Sequence, residues 1–475
     1  PENFDPNKDY GLALALHGAS VEAKGHATAY SPKSWAYIVA PTNRRRFGFD
    51  WEEWGRLNGL SALEHARQTF NIDPTKVYVT GHSMGGHGTW HFGVMHPGRF
   101  AAIGPSAGWA SFYTYGGADK PRGPVGRARA HSETQAYLSN LADRGAYIVH
   151  GSADNNVPVS EGRNLRDALR MHTQDVKYHE EKGADHWWDG QRAEGTDCVD
   201  WPPLFQFLKS HTLDPHDLDF EFTSPGPWVS AEHSYVTIRS PKSPLNDVVL
   251  ESSKSSAKKV DLQTTNVRSM DIDGSALTDK GIDEIVIDGM TRTVKDETME
   301  IGPRAGKRPG LNSTLNEAFR NPFCFVYPDD GPGAYRAYAT YLMGTWSIRG
   351  NGHACALPVS QVDQKLREER NLIYLGVDFS EIPDNGDRPF SWRANELSIG
   401  SWSFSSGMAM ILFPDGDRPA AAFVATEGSE GLLFGYQPFS SRAGLPDYSV
   451  LSSQGARALG FFDSEWKFDP SLGAR

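Results

Sequence analysis

The first two hundred residues alternate between short apolar runs and longer stretches with helical spacing. The apolar runs are continuous, as in strands that are buried on both faces of a parallel sheet. Helical stretches at 58–70 and 134–143 lie between them, and one at 202–210 closes the series. This order predicts an α/β fold, a mostly parallel sheet flanked by helices. The predicted strands are LALALHG, WAYIVAPT, KVYVTG, FAAIGPS and AYIVHGS.

The pattern changes after residue 213. Residues 214–305 contain short alternating runs between Ser-, Asp- and Lys-rich turns, which predicts a small antiparallel β-rich linker domain. From residue 306, strand-like runs surround a helical stretch near 335–348 and predict a second, smaller α/β domain of unassigned role. We therefore expect three domains, 1–213, 214–305 and 306–475, a number that suits the length of 475 residues.

Charge and hydropathy narrow the possible partners. Lys and Arg total 47 against 59 for Asp and Glu, a net charge of −12, which argues against a nucleic-acid partner. The sequence has no apolar run of about 18 residues, so we expect no membrane span. The chain opens at Pro1 without a starting methionine. Removal of an export signal or of another upstream segment would explain this start, and in the first case we expect an extracellular or periplasmic location.

Three cysteines are too few for a disulfide framework, and no CxxC pair suggests zinc. Cys324 and Cys355 both lie in apolar, strand-like runs. Our first interpretation is two buried free thiols. The alternative is one disulfide between neighbouring strands, which would indicate an oxidising compartment.

The pattern Gly-x-Ser-x-Gly occurs twice, around Ser83 and around Ser106. A nucleophilic serine of this kind needs a strand that ends at it and a helix that starts just after it. Ser83 meets both conditions, since KVYVT precedes it and a helical stretch up to Pro97 follows it. Ser106 follows Pro105 and precedes a poorly helical segment. We predict Ser83 as the nucleophile and Ser106 as a loop residue at the rim of the same site.

A serine hydroxyl needs a base to take its proton and an acid to orient that base. Where the serine lies on such a turn, the acid and then the base follow it along the chain. Asp154 lies in a polar loop after one predicted strand, and His186 lies in a loop after the next. Asp185 is a rival acid, but as the neighbour of His186 it is poorly placed to reach the required side of the ring. The sequence predicts Ser83, Asp154 and His186 as a catalytic triad.

An oxyanion hole needs two N–H groups aimed at the developing negative charge. One is expected from Met84, directly after the nucleophile and at a helix N-terminus. The other is expected from Ala19, in the loop after the first strand, where Gly18 allows a close approach. The alternative is that residues 17–19 form a simple strand-exit turn.

Aromatic and basic residues also lie in the predicted loops. Trp109, Trp187 and Trp188 follow the catalytic strands, and with Ser106 they are our candidates for substrate binding. The cluster Arg44–Arg46 is interpreted as a solvated group, with contact to an acidic substrate group as the alternative.

A metal site is not expected. His87 and His91 have the i, i+4 spacing of a metal-binding pair, but no glutamate accompanies them and no third ligand is evident. We interpret these two histidines as packing residues.

The segments HGAS, GHSMGG, GSADNNVPVS and GADHWW together resemble an α/β-hydrolase of the esterase and prolyl-oligopeptidase-like superfamily. The similarity covers about residues 8–211 and is greatest to the polyhydroxybutyrate-depolymerase and feruloyl-esterase-like group. It implies the triad Ser83–Asp154–His186, an acyl-enzyme intermediate and no cofactor. The chain starts where the first strands of the family would end, so the edge of the sheet is not predicted. The C-terminal half only weakly resembles extensions of some large bacterial members.

These residues lead to three hypotheses. The first is a serine hydrolase that cleaves carboxylic esters, carried on a small molecule or on a polymer. The second is a serine peptidase of prolyl-oligopeptidase-like type. The third is a binding or scaffold protein that keeps the hydrolase fold without its activity, since fold alone does not fix function.

Overall fold

The structure is a computed structural model that describes residues 1–45, 50–192, 194–330, 333–382, 388–393, 396–440, 442 and 444–475. Arg46 of the predicted arginine cluster lies outside these residues. We call residues 1–213 the N-terminal unit, residues 214–305 the middle unit and residues 306–475 the C-terminal unit.

The N-terminal unit contains a six-stranded, fully parallel sheet in the order β2-β1-β3-β4-β5-β6. The strands are β1 (Tyr10–Leu16), β2 (Ala36–Val39), β3 (Ile72–His82), β4 (Ala102–Ser106), β5 (Gly145–Gly151) and β6 (Val176–Glu181). The helices are α1 (Ala23–Ala27), α2 (Trp54–Thr69), α3 (Met84–Met95), α4 (Gly123–Ala128), α5 (Val159–Leu169) and α6 (Pro202–Lys209). All five predicted strands are present, and the predicted α/β-hydrolase fold is confirmed.

One predicted helix has a different form. The stretch at 134–143 is a 3₁₀ segment, Thr134–Leu141, with non-helical dihedral angles at Tyr137. Buried apolar side chains lie on both faces of the sheet, as expected for a parallel sheet that is covered by helices.

The middle unit has two sheets, in the orders β14-β13-β11-β10-β7 and β15-β12-β9-β8. Its strands are β7 (Phe220–Ser224), β8 (Glu232–His233), β9 (Val236–Pro241), β10 (Val248–Ser256), β11 (Lys259–Thr265), β12 (Val267–Asp273), β13 (Glu284–Ile287), β14 (Met290–Thr293) and β15 (Thr298–Ile301), with one helix, α7 (Gly274–Asp279). The pairing is antiparallel except between β11 and β13. Those two strands are parallel because β12 and α7 form a crossover connection between them.

The C-terminal unit is built on an eight-stranded mixed sheet in the order β17-β16-β18-β23-β22-β24-β25-β26, beside a small sheet of β19, β20 and β21. The strands are β16 (Phe323–Tyr327), β17 (Cys355–Pro358), β18 (Asn371–Leu375), β19 (Phe390–Arg393), β20 (Glu396–Ile399), β21 (Trp402–Phe404), β22 (Met408–Asp415), β23 (Arg418–Ala425), β24 (Tyr448–Ser452), β25 (Gly455–Phe462) and β26 (Phe468–Ala474). The helices are α8 (Gly333–Gly350) and α9 (Gln364–Glu369). Strands β17, β16, β18 and β23 are parallel, so this unit has the predicted α/β character.

Cys324 and Cys355 form a disulfide, so our first interpretation of two free thiols was wrong. The two cysteines lie directly opposite each other on the parallel strands β16 and β17, with their Cα atoms 4.6 Å apart. Sequence alone did not give this register. Cys198 is buried and free.

The N-terminal and C-terminal units share an aromatic contact at the start of α2. The buried ring of Trp54 packs against Trp346 at 5.6 Å and Phe439 at 6.4 Å, and its Nε1 donates a hydrogen bond to Pro438 O. Nearby, the guanidinium of Arg44 stacks over Trp346 at 4.5 Å, and its Nε donates to Gly350 O. Arg44 therefore packs against the C-terminal unit, and the interpretation of this residue as a solvated group was wrong.

Replacing Trp54 by alanine is expected to lower the free energy of unfolding by about 3–5 kcal/mol, because a large aromatic side chain leaves a cavity between the two units. Urea denaturation followed by circular dichroism measures this change. Phe70→Ala is the control, since Phe70 directly follows the same helix and is 42% exposed, and it should cost less than about 1 kcal/mol. Equal losses for the two variants would contradict the packing role of Trp54.

The disulfide gives a direct mass prediction. With three cysteines in the chain and two of them joined, an alkylating agent added to the denatured, unreduced protein should modify Cys198 alone. After reduction it should modify all three. Mass spectrometry counts the adducts, and three adducts without reduction would mean that Cys324 and Cys355 are free in the purified protein.

Candidate active site

Ser83 occupies a strained turn between β3, which ends at His82, and α3, which begins at Met84. Its backbone angles are φ 60° and ψ −120°, values that an L-residue rarely adopts. The backbone N–H of Ser83 donates to Ser106 O at 3.0 Å, which ties the turn to the neighbouring strand. This strand–turn–helix arrangement is the geometry of a nucleophile elbow.

Two glycines permit this turn. A Cβ atom on Gly85 would lie 1.7 Å from Leu16 O, and one on Gly81 would lie 2.5 Å from the same oxygen. Any larger residue at either position would therefore collide with the backbone of β1. The small residues around Ser83 are required by the close approach of strand and helix.

Asp154 and His186 lie together at the carboxyl edge of the sheet, in the loops after β5 and β6. His186 Nδ1 is 2.8 Å from Asp154 Oδ2. The other carboxylate oxygen accepts hydrogen bonds from the backbone N–H groups of Asn156 and Val157, at 2.9 and 2.8 Å. Because the carboxylate can only accept while it is ionised, Nδ1 of His186 carries the proton and Nε2 is left as the basic nitrogen.

The environment keeps Asp154 ionised. Burial alone would raise its pKa, but hydrogen bonds from His150, His186 and two backbone N–H groups outweigh burial and hold the pKa well below its usual range. His150 is fully buried, with Nε2 3.3 Å from Asp154 Oδ2. Sequence reasoning missed His150, which lies inside β5 and had no local signal beyond its proximity in the chain to Asp154.

Asp185 has a different role from Asp154. Its carboxylate accepts from the backbone N–H and the side-chain amide of Asn155, at 3.3 and 3.0 Å, and from the backbone N–H of His186 at 2.7 Å. These bonds connect the loop of Asp154 to the loop of His186. The ring of His186 is bonded to Asp154 and not to Asp185.

Ser83 and His186 lie on the same edge but are not directly bonded. Within the described part of the chain, no hydrogen bond joins Ser83 Oγ to His186. The ring of His186 packs against that of His82, the residue before Ser83, with centroids 4.8 Å apart. Catalytic hydrogen bonds are often long without substrate and shorten when it binds.

The predicted oxyanion residues flank Ser83. A Cβ on Gly18 would lie 3.3 Å from Ser83 Cβ and 3.9 Å from its Oγ, so the loop after β1 passes directly beside the hydroxyl. Ala19, the next residue, is exposed. Met84 is the first residue of α3, where N–H groups have no acceptor inside the helix.

The four predicted substrate-binding residues have different environments. Trp187, which directly follows His186, is 51% exposed and contacts the ring of His82 at 5.1 Å. Trp188 is half-buried and packs 5.8 Å from Trp201. The structure corrects the placement of Trp109, which is 4% exposed and stacks between His87 and Tyr115 at 5.0 and 4.4 Å. The ring of Trp109 is therefore packed in the core, where substrate does not reach it.

The placement of Ser106 is also corrected. It is the last residue of β4, not a loop residue, and it is buried. Its Oγ donates to Cys198 O at 2.5 Å and is 3.1 Å from His82 Nδ1. Its hydroxyl is therefore used in hydrogen bonds within the protein and is not available to substrate.

A buried polar network lies behind the elbow. Nε2 of His87 is 3.2 Å from Glu52 Oε1, and Nδ1 donates to Trp109 O at 3.0 Å. The second oxygen of Glu52 accepts from Ser132 Oγ at 2.6 Å. Burial opposes a charge on His87, but Asp50 and Glu52 raise its pKa above the usual value. His87 is therefore an ion-pair partner of Glu52, a role that its spacing from His91 did not predict.

This network is also the group of described side chains best suited to a cation. One ligand atom each from Asp50, Glu52 and His87 lie within 4.8 Å of one another, and all three residues are buried. However, Nε2 of His87 and both oxygens of Glu52 already have partners in the protein. His87 and Glu52 therefore form an ion pair, and Asp50 Oδ2 lies 3.8 Å from His87 Nε2.

Comparison with known proteins finds a family match within the N-terminal unit. Residues 44–211 match the model of the prolyl oligopeptidase family. A secreted protein of Arthroderma benhamiae without a characterised activity is 25% identical, over 98% of this chain and 57% of its own length. Dipeptidyl-peptidase 5 of Porphyromonas endodontalis is 26% identical, over 39% of this chain and 31% of its own.

A bifunctional acetylxylan esterase/xylanase of Neocallimastix patriciarum is 25% identical, over 34% of this chain and 26% of its own length. The chain thus spans between about a quarter and little more than half of these curated relatives. Among the described residues, no helix has both the length and the apolarity to cross a membrane. By its parallel sheet, its elbow and its family match over residues 44–211, the N-terminal unit belongs to the α/β-hydrolase superfamily of serine esterases and peptidases.

Proposed function

We propose that the chain is a serine hydrolase that cleaves carboxylic esters, with Ser83 as nucleophile, His186 as general base and Asp154 as the acid that orients it. The observation that carries this proposal is the 2.8 Å contact between His186 Nδ1 and the ionised Asp154, beside a serine on an elbow. This pair leaves Nε2 of His186 able to take a proton, as activation of a hydroxyl requires.

The reaction proceeds in two halves. Ser83 Oγ attacks the ester carbonyl while His186 Nε2 takes its proton, and the N–H groups of Met84 and Ala19 stabilise the oxyanion. The tetrahedral intermediate collapses, the alcohol leaves with the proton from His186, and an acyl group remains on Ser83. Water then attacks the acyl-enzyme with His186 again as base, which releases the acid and restores Ser83. Both halves use only groups of this chain and water, with no cofactor.

The site favours an ester over the free N-terminus of a peptide. Capture of an ammonium group requires an accessible carboxylate, and Glu52 and Glu53 are adjacent glutamates behind the elbow, where Glu52 contacts His87 of α3. Both are buried, and they pair with His87 and His131 at 3.2 Å. The exposed ring of Trp187 beside His186 offers a platform for the acyl or alcohol part of a small or polymer-linked ester. One relative is named as an acetylxylan esterase, which agrees with this choice.

Peptidase activity is the second candidate, because the matching family is that of prolyl oligopeptidase and one relative is a dipeptidyl-peptidase. A scaffold without activity is the third. An extracellular location is also proposed, supported by the Cys324–Cys355 disulfide and by the relative that is named as secreted.

Ser83→Ala is expected to lower hydrolysis of p-nitrophenyl acetate and butyrate by about 10³-fold or more, because the nucleophile is lost. His186→Ala should be comparably severe. Ser106→Ala, in the second Gly-x-Ser-x-Gly pattern, should lose no more than about tenfold, since that hydroxyl is 2.5 Å from Cys198 O and does not attack substrate.

The same assay separates the three functions. Wild type should cleave the esters much faster than aminoacyl p-nitroanilides. Faster cleavage of the anilides would favour the peptidase, and no turnover of either class would favour the scaffold. A dead Ser106→Ala with an active Ser83→Ala would overturn the choice of nucleophile.

The acid limb of kcat/KM should have a slope of one on a logarithmic plot. A general base must be neutral to accept a proton, so activity falls in acid. Asp154 stays ionised through this limb because its pKa lies well below the usual range, and His82 stays neutral because burial holds its pKa well below the usual value. Initial rates of ester hydrolysis against pH measure the slope. A slope of two would mean that two groups must lose a proton before the enzyme is active.

A further inference from the structure

His82, the residue before the nucleophile, is part of a short chain of contacts that ends at the catalytic histidine. It is 3% exposed. Its ring packs 4.8 Å from the ring of His186 and 5.1 Å from that of Trp187. On its other side, Nδ1 is 3.1 Å from Ser106 Oγ. His82 therefore lies between a buried hydroxyl and the group proposed to carry the proton.

The hydrogen bonds fix which nitrogen of His82 carries a proton. Ser106 Oγ lies 2.5 Å from Cys198 O, and a carbonyl oxygen can only accept, so the single hydroxyl proton is used there. At the contact with His82, Ser106 Oγ must then accept. Nδ1 of His82 is consequently the donor, and a neutral ring with a proton on Nδ1 has a bare lone pair on Nε2.

The ring remains neutral. Burial lowers the pKa of His82 well below the usual value, and the neighbouring His186 lowers it further. Among the residues that the structure describes, Nε2 of His82 has no hydrogen-bond partner. A buried acceptor without a partner costs free energy in the resting protein, so its presence requires an explanation.

The position of the ring supplies that explanation. In the proposed reaction, His186 becomes a cation each time it takes the proton of Ser83. A neutral ring that packs against His186 and has a nitrogen lone pair not used in a hydrogen bond can interact favourably with positive charge that forms on His186. Interactions that strengthen only toward the transition state raise kcat, and preorganised dipoles in a water-excluded site are effective in this way.

We propose that His82 is a positioning residue of the hydrolase: held in one tautomer by Ser106 and the carbonyl of Cys198, it packs against His186 and stabilises the imidazolium that forms there. This inference rests on the proposed function of His186 as general base. It assigns Ser106 a role through His82, in place of the substrate contact that its sequence pattern suggested.

The test measures kcat and KM for p-nitrophenyl butyrate in His82→Phe, which keeps a flat ring and removes both nitrogens. We expect kcat to fall about tenfold or more with KM within about twofold, as for the loss of a transition-state interaction. Ser106→Ala should lower kcat by less, about three- to tenfold. It removes only the hydrogen bond that fixes the tautomer of His82, and the ring of His82 remains in place. The double variant should be no slower than His82→Phe, since Ser106 acts through His82.

Two further variants separate this role from a structural one. Thr80→Val is the matched control, because Thr80 Oγ1 donates to Gly104 O between the same two strands but away from the site. It should keep kcat within about twofold of wild type. His82→Asn retains a donor for Ser106 but has no atom at the position of Nε2, so a folded His82→Asn should still lose kcat. If His82→Phe does not fold, His82→Asn provides the test of the proposal.

Wild-type kcat in a folded His82→Asn, a change confined to KM, or additive losses in the double variant would each overturn the proposal. These outcomes are distinct from failure of the proposed function, which would appear as full activity in Ser83→Ala. Loss of activity in Ser83→Ala with full activity in His82→Asn would leave the hydrolase standing and remove His82 from its mechanism.

Discussion

The backbone of Ser83, held at φ 60°, is the constraint on which the rest of the site depends. A strained residue persists only where its surroundings determine its conformation. Here β1 and β4 do so: Leu16 O leaves no room for a Cβ at Gly85, Ser106 O would lie 2.2 Å from a Cβ at Gly86, and the same Ser106 oxygen holds the N–H of Ser83. The central position of β3 between these two strands therefore fixes the backbone of Ser83, the proposed nucleophile.

The same sheet order brings the other groups to Ser83. Strand β1 lies on one side of β3 and delivers Gly18, while β5 and β6 lie beyond β4 and deliver Asp154 and His186. Because parallel strands all end at one edge, side chains that are far apart in the chain meet there. The bonds of Asp185 to the loop of Asp154 then set the distance between the last two loops.

Chain order and local pattern were sufficient to predict much of this. The strand before Ser83, the helix after it and the loops of Asp154 and His186 each have a signal within about ten residues, and these predictions agree with the observed elements. Ser106 and Trp109 were misplaced because local pattern does not report burial. Ser106 is the last residue of β4 and Trp109 follows that strand, and both side chains are buried. The Glu52–His87 pair and the Cys324–Cys355 disulfide depend on contacts between distant segments, for which the sequence has no periodic signal.

The C-terminal unit is connected to the elbow by consecutive packed side chains. The guanidinium of Arg442 stacks over Phe112 at 4.1 Å, and Phe112 in turn packs against Trp109 and His87, at 5.5 and 5.4 Å. His87 is on the first turn of α3, where its backbone N–H donates to Ser83 O at 3.0 Å. Protein interiors are close-packed and transmit strain. The C-terminal unit therefore packs, through these side chains, against the helix that follows the proposed nucleophile, although none of the proposed catalytic residues lies within that unit.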